Sequence, residues 1–249
     1  MTSKPKGGLG ATPTTKKAWK SINWAHAFWV VQKLQVRIAK AVKQKRWGKA
    51  YALQRILVTS RSAKLLAIKS VTSNKGKNTP GIDGIIWKTA KAKFQALEAL
   101  SRMGYKAQPL RRVKIPKYNG KMRALGIPTM KDRAVQALYA MALKPIAEIT
   151  ADTHSYGFRP RRSVADAIAH CFIALARKDS ATWILEGDIK ACFDQIGHEW
   201  MMNHIPMDKT ILRQWLKAGY VENHVFHHTT AGTPQGGLCT ALHNPPYAE

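Results

Sequence analysis

The first long pattern of apolar positions in the chain has the period of a helix. Trp24, Phe28, Val31, Ile38 and Val42 recur at helical spacing, which places them on one face. We therefore expect a helix over residues 24–42 that buries this face. The basic residues of the stretch line up on another face, and they are Lys33, Arg37 and Lys40.

Residues 110–128, LRRVKIPKYNGKMRALGIP, change to the alternation that is typical of strands. The two alternating arms flank Asn119-Gly120, a dipeptide suited to the positive φ angles of a two-residue type I′ turn. The pattern predicts a β-hairpin. Its arms carry the cations Lys114, Lys117, Lys121 and Arg123. These cations are suited to a triphosphate or a template backbone, although an exposed hairpin with solubilising charges has the same pattern.

Turn formers and caps divide the rest of the chain. They gather at residues 72–81, where we place a soft boundary. Thr129 and Asp132 have the spacing of a helix cap, and we expect Pro145 to bend or interrupt the helix that follows. An arginine-rich turn at residues 156–163 precedes a further helix through residues 165–172.

The stretch TWILEGDIKACFDQI, residues 182–196, is apolar up to Gly187 and then becomes polar. We expect a strand over residues 182–189, with Asp188 and Asp194 around its carboxyl end. Carboxylates at a strand end are the ligands that Mg²⁺ prefers. The spacing alone favours one helix-capping aspartate and one surface aspartate, and only the surrounding residues favour a metal site.

The charge of the chain indicates its partner. Lysine and arginine number 41 against 14 acidic residues in 249, a formal net charge of +27, and the first acidic residue is Asp83. This excess favours a polyanion, and nucleic acid above all, because basic side chains release counterions from phosphates. A ribosomal-type or merely supercharged protein is the alternative. A membrane partner is disfavoured because the chain has no apolar run of about 18 residues.

Five sequence blocks carry a more specific signal. In chain order they are NTPGIDG at 78–84, IPKYNGKMRALGIPTMKDRAVQ at 115–136, YGFRPRRSVADAI at 156–168, GDIKACFDQI at 187–196 and GTPQGG at 232–237. Together they resemble the reverse transcriptases encoded by group II introns, and the region before Asn78 resembles the N-terminal extension of these enzymes. Retron and other bacterial reverse transcriptases share part of the blocks and stay the alternative within the family.

The resemblance implies an α+β fold: the fingers and a partial palm of a right-hand polymerase, preceded by a helical basic N-terminal region. The expected organisation is a flexible basic arm at 1–20, a helical N-terminal region at 21–77, fingers and partial palm at 78–237, and a divergent tail at 238–249. The arm is basic without an apolar stretch, which disfavours a secretory signal. We expect a cytoplasmic protein, or one in an organelle of an intron-bearing host.

The resemblance also implies the catalytic residues. Asp188 matches the first metal-binding aspartate of the family and is our candidate catalytic residue, and Ile189 would add a backbone carbonyl. The implied cofactor is Mg²⁺, since nucleotidyl transfer uses two such ions about 4 Å apart, held by several carboxylates. Phe193 matches the side chain that excludes a ribose 2′ hydroxyl, although plain core packing would also explain a phenylalanine there.

Further residues correspond to binding positions of the family. Lys117 and Arg123 would hold the triphosphate of the incoming dNTP, and Gln235 and Gly236 would line the pocket beside the templating base. The expected RNA contacts are Lys33, Arg37, Lys40, Arg159, Arg161 and Arg162. The implied partners are intron or template RNA, a DNA primer and dNTPs.

The resemblance stops after Gly237. The family continues towards a Y-A-D-D turn, whereas residues 238–249 read LCTALHNPPYAE and contain no aspartate. We therefore expect an RNA-binding chain whose catalytic carboxylates are incomplete and which is inactive as a polymerase alone, because the reading frame is truncated. A non-catalytic module acting on intron RNA is the alternative, and a pseudogene product that folds poorly is a third.

Overall fold

A computed structural model describes residues 13–116, 118, 120, 122–157, 159–188 and 192–233. The helices are α1 Pro13–Lys20, α2 Trp24–Lys43, α3 Trp47–Thr59, α4 Arg61–Ser73, α5 Ala90–Ala99, α6 Met130–Thr150, α7 Val164–Leu175, α8 Cys192–Gln195, α9 His198–His204 and α10 Lys209–Leu216. The strands are β1 Leu110–Pro116, β2 Met122–Ile127, β3 Tyr220–Glu222 and β4 Val225–His227, and a 3-10 turn spans Lys75–Asn78.

Helix α6 lies at the centre of the main core. It packs against α2, α3 and α4, and the apolar side chains between them form one continuous cluster. Ile38, Leu57 and Ile68 are fully buried there, one each from α2, α3 and α4. The N-terminal helices therefore share a single core with the helix that follows the hairpin.

Helix α2 confirms the predicted amphipathic helix. It begins at the cap residue Asn23, whose side chain accepts a hydrogen bond from the His26 amide at 2.9 Å. Val31, Ile38 and Val42 are buried as expected, but the expected burial of Phe28 is wrong, because its side chain is 60% exposed. The buried row runs through Ala27, Val31, Leu34 and Ile38, and Phe28 lies beside it.

Pro145 does not interrupt α6, which continues to Thr150. A proline at this position removes the amide that would donate to the carbonyl of Met141, four residues earlier. The side-chain amide of Gln35 donates to that carbonyl instead, at 2.8 Å. The core therefore supplies from α2 the donor that α6 lacks.

The predicted hairpin is confirmed, while its predicted turn lies partly outside the described residues, which omit 117, 119 and 121. Strands β1 and β2 pair antiparallel from Arg111 opposite Ile127 to Pro116 opposite Met122. Gly120 has the expected positive φ, at 74°. Strand β3 adds parallel to β1, and β4 pairs antiparallel with β3, which gives the mixed order β2-β1-β3-β4.

The expected strand over residues 182–189 is wrong as far as the structure describes it. Residues 183–188 are outside the four strands of the described chain. Trp183 is 92% exposed and Leu185 97% exposed, so no neighbouring strand supplies the hydrogen bonds and cover that a buried strand needs. Helix α7 does form where it is predicted, although it buries none of its residues.

Helices of the described chain are all too short or too polar to cross a membrane.

Candidate polymerase and nucleic-acid site

The candidate catalytic residue Asp188 lies at the end of the segment at residues 183–188, which is neither helix nor strand. Its side chain is exposed, and Asp194 is also exposed, within α8 itself. Ile189 falls outside the described residues. In the described part of the chain, no three histidine, cysteine, aspartate or glutamate side chains group closely enough to hold a metal ion. The described residues therefore do not by themselves make a site that fits the implied Mg²⁺, and we assign no reaction step to the metal.

Two of the family-like blocks are nevertheless in direct contact. The Gly232 amide donates to the carbonyl of Ile196 at 2.8 Å, and the Thr233 amide donates to the carbonyl of Phe193 at 2.6 Å. The ring of His198 lies 2.9 Å from the carbonyl oxygen of Gly232. The start of GTPQGG is thus hydrogen-bonded to the end of GDIKACFDQI.

This contact explains the glycine at position 232. A Cβ there would lie 2.5 Å from the carbonyl oxygen of Asp194, and the residue has a φ of 77°. Glycine is the residue that permits both the close approach and the positive φ. Gln235 and Gly236, predicted to line the nucleotide pocket, lie outside the described residues.

Phe193 is half-buried and lines an apolar cavity of about 70 Å³. Ile196, Trp200, Trp215 and Thr233 are among the other lining residues, together with Asp132 from the start of α6. This position is compatible both with a side chain that contacts a nucleotide and with plain packing. Its predicted role as a gate therefore stays a prediction.

The basic residues of the hairpin have different surroundings. Arg123 is exposed on β2, opposite Ile115 of β1, and Lys117 falls outside the described residues. The ammonium group of Lys114 forms a salt bridge of 2.9 Å with Glu222 on β3, and the Lys114 hydrogen bond lowers the pKa of that carboxyl group. Lys114 therefore helps to hold the sheet together.

The three arginines of the arginine-rich turn have different environments: one is held by an ion pair, and two are exposed. Arg159 pairs with Glu148 at 2.7 Å and donates to the carbonyl oxygen of Asp152, so its side chain is only 11% exposed. An RNA phosphate would have to compete with Glu148 for this guanidinium. Arg161 and Arg162 are exposed, and the salt bridges within the described residues do not include them.

The basic side chains of α2 lie on its outer surface. Lys33, Arg37 and Lys40 are all exposed, on the side of the helix away from the buried row. The Lys33 ammonium lies 3.7 Å from the ring centroid of Trp29, in a cation–π contact. The predicted separation into a buried face and a basic face is therefore confirmed, while RNA contact stays a prediction.

Asp132 is a buried group whose environment the sequence pattern did not indicate. Besides capping α6 with Thr129, its carboxylate accepts hydrogen bonds from the Tyr105 hydroxyl at 2.6 Å, the Thr129 hydroxyl at 2.7 Å and the Gln108 amide at 3.3 Å. Trp215 in turn donates to the Tyr105 hydroxyl at 2.9 Å. Burial raises the pKa of Asp132, and these hydrogen bonds oppose the rise.

Arg133 joins the segment after α4 to the start of α6. Its guanidinium donates to the backbone carbonyls of Gly76, Thr79 and Pro128 at 3.0, 2.5 and 3.0 Å. Burial lowers the pKa of Arg133, and the nearby Arg111 adds to that effect. Gly81 follows this contact, and a Cβ there would lie 2.5 Å from the Cα of Thr129. The first family-like block is thereby packed against the helix cap.

Comparison with known proteins agrees with this arrangement. Residues 19–100 match the N-terminal domain of reverse transcriptase, and residues 115–242 match reverse transcriptase, described as RNA-dependent DNA polymerase. Each match contains blocks or helices that the sequence pattern had singled out.

Similar individual proteins also include reverse transcriptase relatives. The chain is 38% identical to protein YkfC of Escherichia coli and 37% identical to the group II intron-encoded protein LtrA of Lactococcus lactis, in each case over 71% of its length. It is 28% identical to maturase-like protein 1 of Euglena gracilis over 57% of its length. The aligned part spans 50% of YkfC and 31% of LtrA. These matches show that this chain belongs to the reverse transcriptase family, with relatives that are named as group II intron-encoded proteins.

Proposed function

We propose that this chain binds RNA of the group II intron type through its basic N-terminal helices and its fingers, and that these 249 residues alone do not polymerise DNA. The observation that supports binding most directly is the outer face of α2. It presents Lys33, Arg37 and Lys40 away from the core, in a part of the chain that has no acidic residue before Asp83. Such a surface attracts phosphates.

The same proposal assigns the parts of the chain. Residues 21–77 form the N-terminal RNA-binding region, and residues 78–237 form fingers and a partial palm, between the arm at 1–20 and the tail at 238–249. Arg161 and Arg162 contact the template backbone, while Arg159 contributes by holding their turn against Glu148. The pairing of Arg159 makes it the weakest of the three candidates for direct contact.

The absence of activity follows from the carboxylates. Asp188 and the carbonyl of Ile189 would hold a magnesium ion, with Lys117, Arg123, Phe193, Gln235 and Gly236 around a dNTP. A second pair of carboxylates is needed for two-metal catalysis, and the sequence after Gly237 contains no Y-A-D-D turn. The alternative that the chain is a non-catalytic module for intron RNA makes the same prediction for binding.

RNA binding is tested by the salt dependence of affinity. Replacing Lys33, Arg37 and Lys40 together with glutamine should weaken binding of a fluorescent intron RNA and flatten the slope of log affinity against log salt, by about 0.7 for each phosphate that is no longer neutralised. The matched control replaces three exposed cations elsewhere, Lys178, Arg213 and Lys217. An equal loss in both triple variants would show that only net charge matters.

Catalysis is tested by RNA-templated primer extension with dNTPs and Mg²⁺, with the wild type beside Asp188→Ala. We expect no extension by either protein and equal RNA affinity. Extension that Asp188→Ala abolishes would contradict the proposal of an incomplete site, and would establish the polymerase as the function instead. The hydrogen bonds from Gly232 to Ile196 and from Thr233 to Phe193 of α8 are the observation that favours this second candidate.

A further inference from the structure

The turn between α2 and α3 carries a basic and aromatic surface that the proposed function does not use. We call it the corner patch, and it consists of Lys43, Lys45, Arg46, Trp47, Lys49 and Tyr51, all of which are exposed. It lies at the end of α2 that is remote from Trp29 and includes the first turns of α3. Lys43 lies three residues after Lys40 on α2, so the patch adjoins the end of the row that begins at Lys33 and extends it onto α3, where its aromatic residues lie.

Backbone hydrogen bonds at the end of α2 hold the corner patch at the protein surface. The amides of Lys45 and Arg46 donate to the carbonyls of Val42 and Ala41 at 2.8 and 2.9 Å, which closes α2 tightly. Lys45 has a φ of 56°, a conformation that glycine adopts at lower cost. Position 45 therefore keeps a charged side chain where the backbone would favour glycine, which is consistent with a use for the charge.

The cations of the patch have no anionic partner in the described part of the chain. Salt bridges within the described residues involve Asp208, Glu222, Glu148 and Asp179, and none of them includes a residue of the patch. Arg46, at the cap of α3, makes no side-chain cap hydrogen bond. Like charges that lie together without acidic partners repel one another. Binding of an external polyanion would therefore reduce the electrostatic repulsion within the patch.

The two aromatic rings decide which polyanion fits. Trp47 is 39% exposed and Tyr51 43% exposed, and their ring centroids lie 6.5 Å apart, while Ala50 and Leu53 bury the opposite side of α3. The cation–π contacts of the described residues cover Trp29 with Lys33 but place no cation over Trp47 or Tyr51. These rings are therefore open to a flat partner.

We infer that the corner patch binds unpaired nucleotides of RNA, with bases stacked on Trp47 and Tyr51 and phosphates contacting Lys43, Lys45, Arg46 and Lys49. Aromatic rings between cations are suited to single-stranded nucleic acid, in which base faces are accessible. A continuous duplex hides those faces and offers only its backbone. The inference rests on the proposed RNA binding and adds a preference for a loop or single strand.

The experiment compares two RNAs by fluorescence anisotropy: a stem-loop with an unpaired loop, and the same strand annealed into a continuous duplex. Trp47→Leu/Tyr51→Leu should bind the stem-loop about tenfold more weakly and the duplex as the wild type does. Leucine keeps apolar bulk, and circular dichroism melting checks that the variant folds. Trp47→Phe, which keeps a ring, should retain most of the affinity for the stem-loop.

Trp29→Leu is the matched control, because Trp29 is 50% exposed on the adjacent helix but is already covered by Lys33. It should leave the ratio of the two affinities unchanged. The inference is overturned if the Trp47→Leu/Tyr51→Leu variant binds stem-loop and duplex equally more weakly, or binds both as the wild type does. In either case the proposed RNA binding of the wild type is unaffected. A wild type that binds neither RNA overturns both the inference and the proposed function.

Discussion

Helices α6 and α7 follow one another in the chain, yet their surroundings are opposite. α6 is enclosed by α2, α3 and α4 and buries most of one face, including Leu138 and Ile146. α7 has the sequence VADAIAHCFIAL, is mainly apolar, and buries none of its residues. An apolar sequence therefore predicts a helix but not its burial, since burial also requires a partner surface.

The segment after α7 has the same character. Phe172 of α7 is 71% exposed, and Trp183, Ile184 and Leu185 are exposed beyond it. Contiguous exposed apolar side chains of this kind mark surfaces that other polypeptides or aggregates cover. The N-terminal helices, α6, α9 and α10 thus contribute to one buried cluster, whereas the region around α7 presents apolar surface outward.

The largest expected effect tests this difference directly. Ile68→Ala, in the core beside α6, should lower the free energy of unfolding by about 2–5 kcal/mol, because the substitution removes fully buried methyl groups. Phe172→Ala in α7 should change it by no more than about 0.5 kcal/mol. Urea denaturation of both variants measures the two values. A large decrease for Phe172→Ala would mean that α7 is covered in solution.

An intermediate effect concerns the polar part of the α6 core. Asp132→Asn should cost about 1–3 kcal/mol, because an amide cannot accept from Tyr105, Thr129 and Gln108 as the carboxylate does. Tyr105→Phe, which removes one donor and leaves the carboxylate, is the matched control and should cost less. Equal stability of Asp132→Asn and the wild type would show that the network contributes nothing.

The pH dependence of the same residue has a defined sign. Because burial raises the pKa of Asp132 in the folded state, folding favours the protonated form of its side chain. The part of the stability that comes from this preference is fully present below the unfolded value of 3.8 and is lost as pH rises through the folded pKa, whereas the hydrogen-bond contribution described above remains. The difference in unfolding free energy between wild type and Asp132→Asn should therefore be larger at acidic than at neutral pH. Urea denaturation across that range checks it, and a difference that grows towards neutral pH contradicts it.

The smallest expected effect tests how the core accommodates Pro145. Gln35→Leu should cost about 1 kcal/mol, because the carbonyl of Met141 is then left without its donor. In a Pro145→Ala background the new amide of residue 145 can donate instead, so the same substitution should cost little. A double-mutant cycle of urea denaturation measures this coupling, and additive costs would refute the exchange of donors.

Local patterns identified several of the elements. The period of apolar residues located α2 and α7, the alternation around Gly120 located β1 and β2, and Thr129 located the start of α6. The segment at 182–189 was assigned to a strand from its composition, which cannot show whether a neighbouring strand is present. Phe28 was misplaced for a related reason, since one helical row differs from the next by a single residue.

The candidate site also has features that the sequence predicted and features that it did not. Its residue types and chain order are visible in the five blocks, whereas the contact of Gly232 with Phe193 and Asp194, which brings two of those blocks together, was not predicted. The pairing of Arg159 with Glu148 was not predictable, because the two side chains are brought together by the turn that follows α6. The convergence of Tyr105, Asp132 and Trp215 likewise joins three separate segments.

The sequence by itself determined that this protein is a basic member of the reverse transcriptase family that resembles the group II intron-encoded enzymes, because family, charge and helical period are properties of residue order. The tertiary structure alone decided which apolar and charged groups have partners. It supplied Gln35 to the carbonyl behind Pro145, enclosed Asp132 among donors, and left Trp47 and Tyr51 open. The reason is physical: burial and pairing depend on surfaces that are distant in sequence and meet only in the fold.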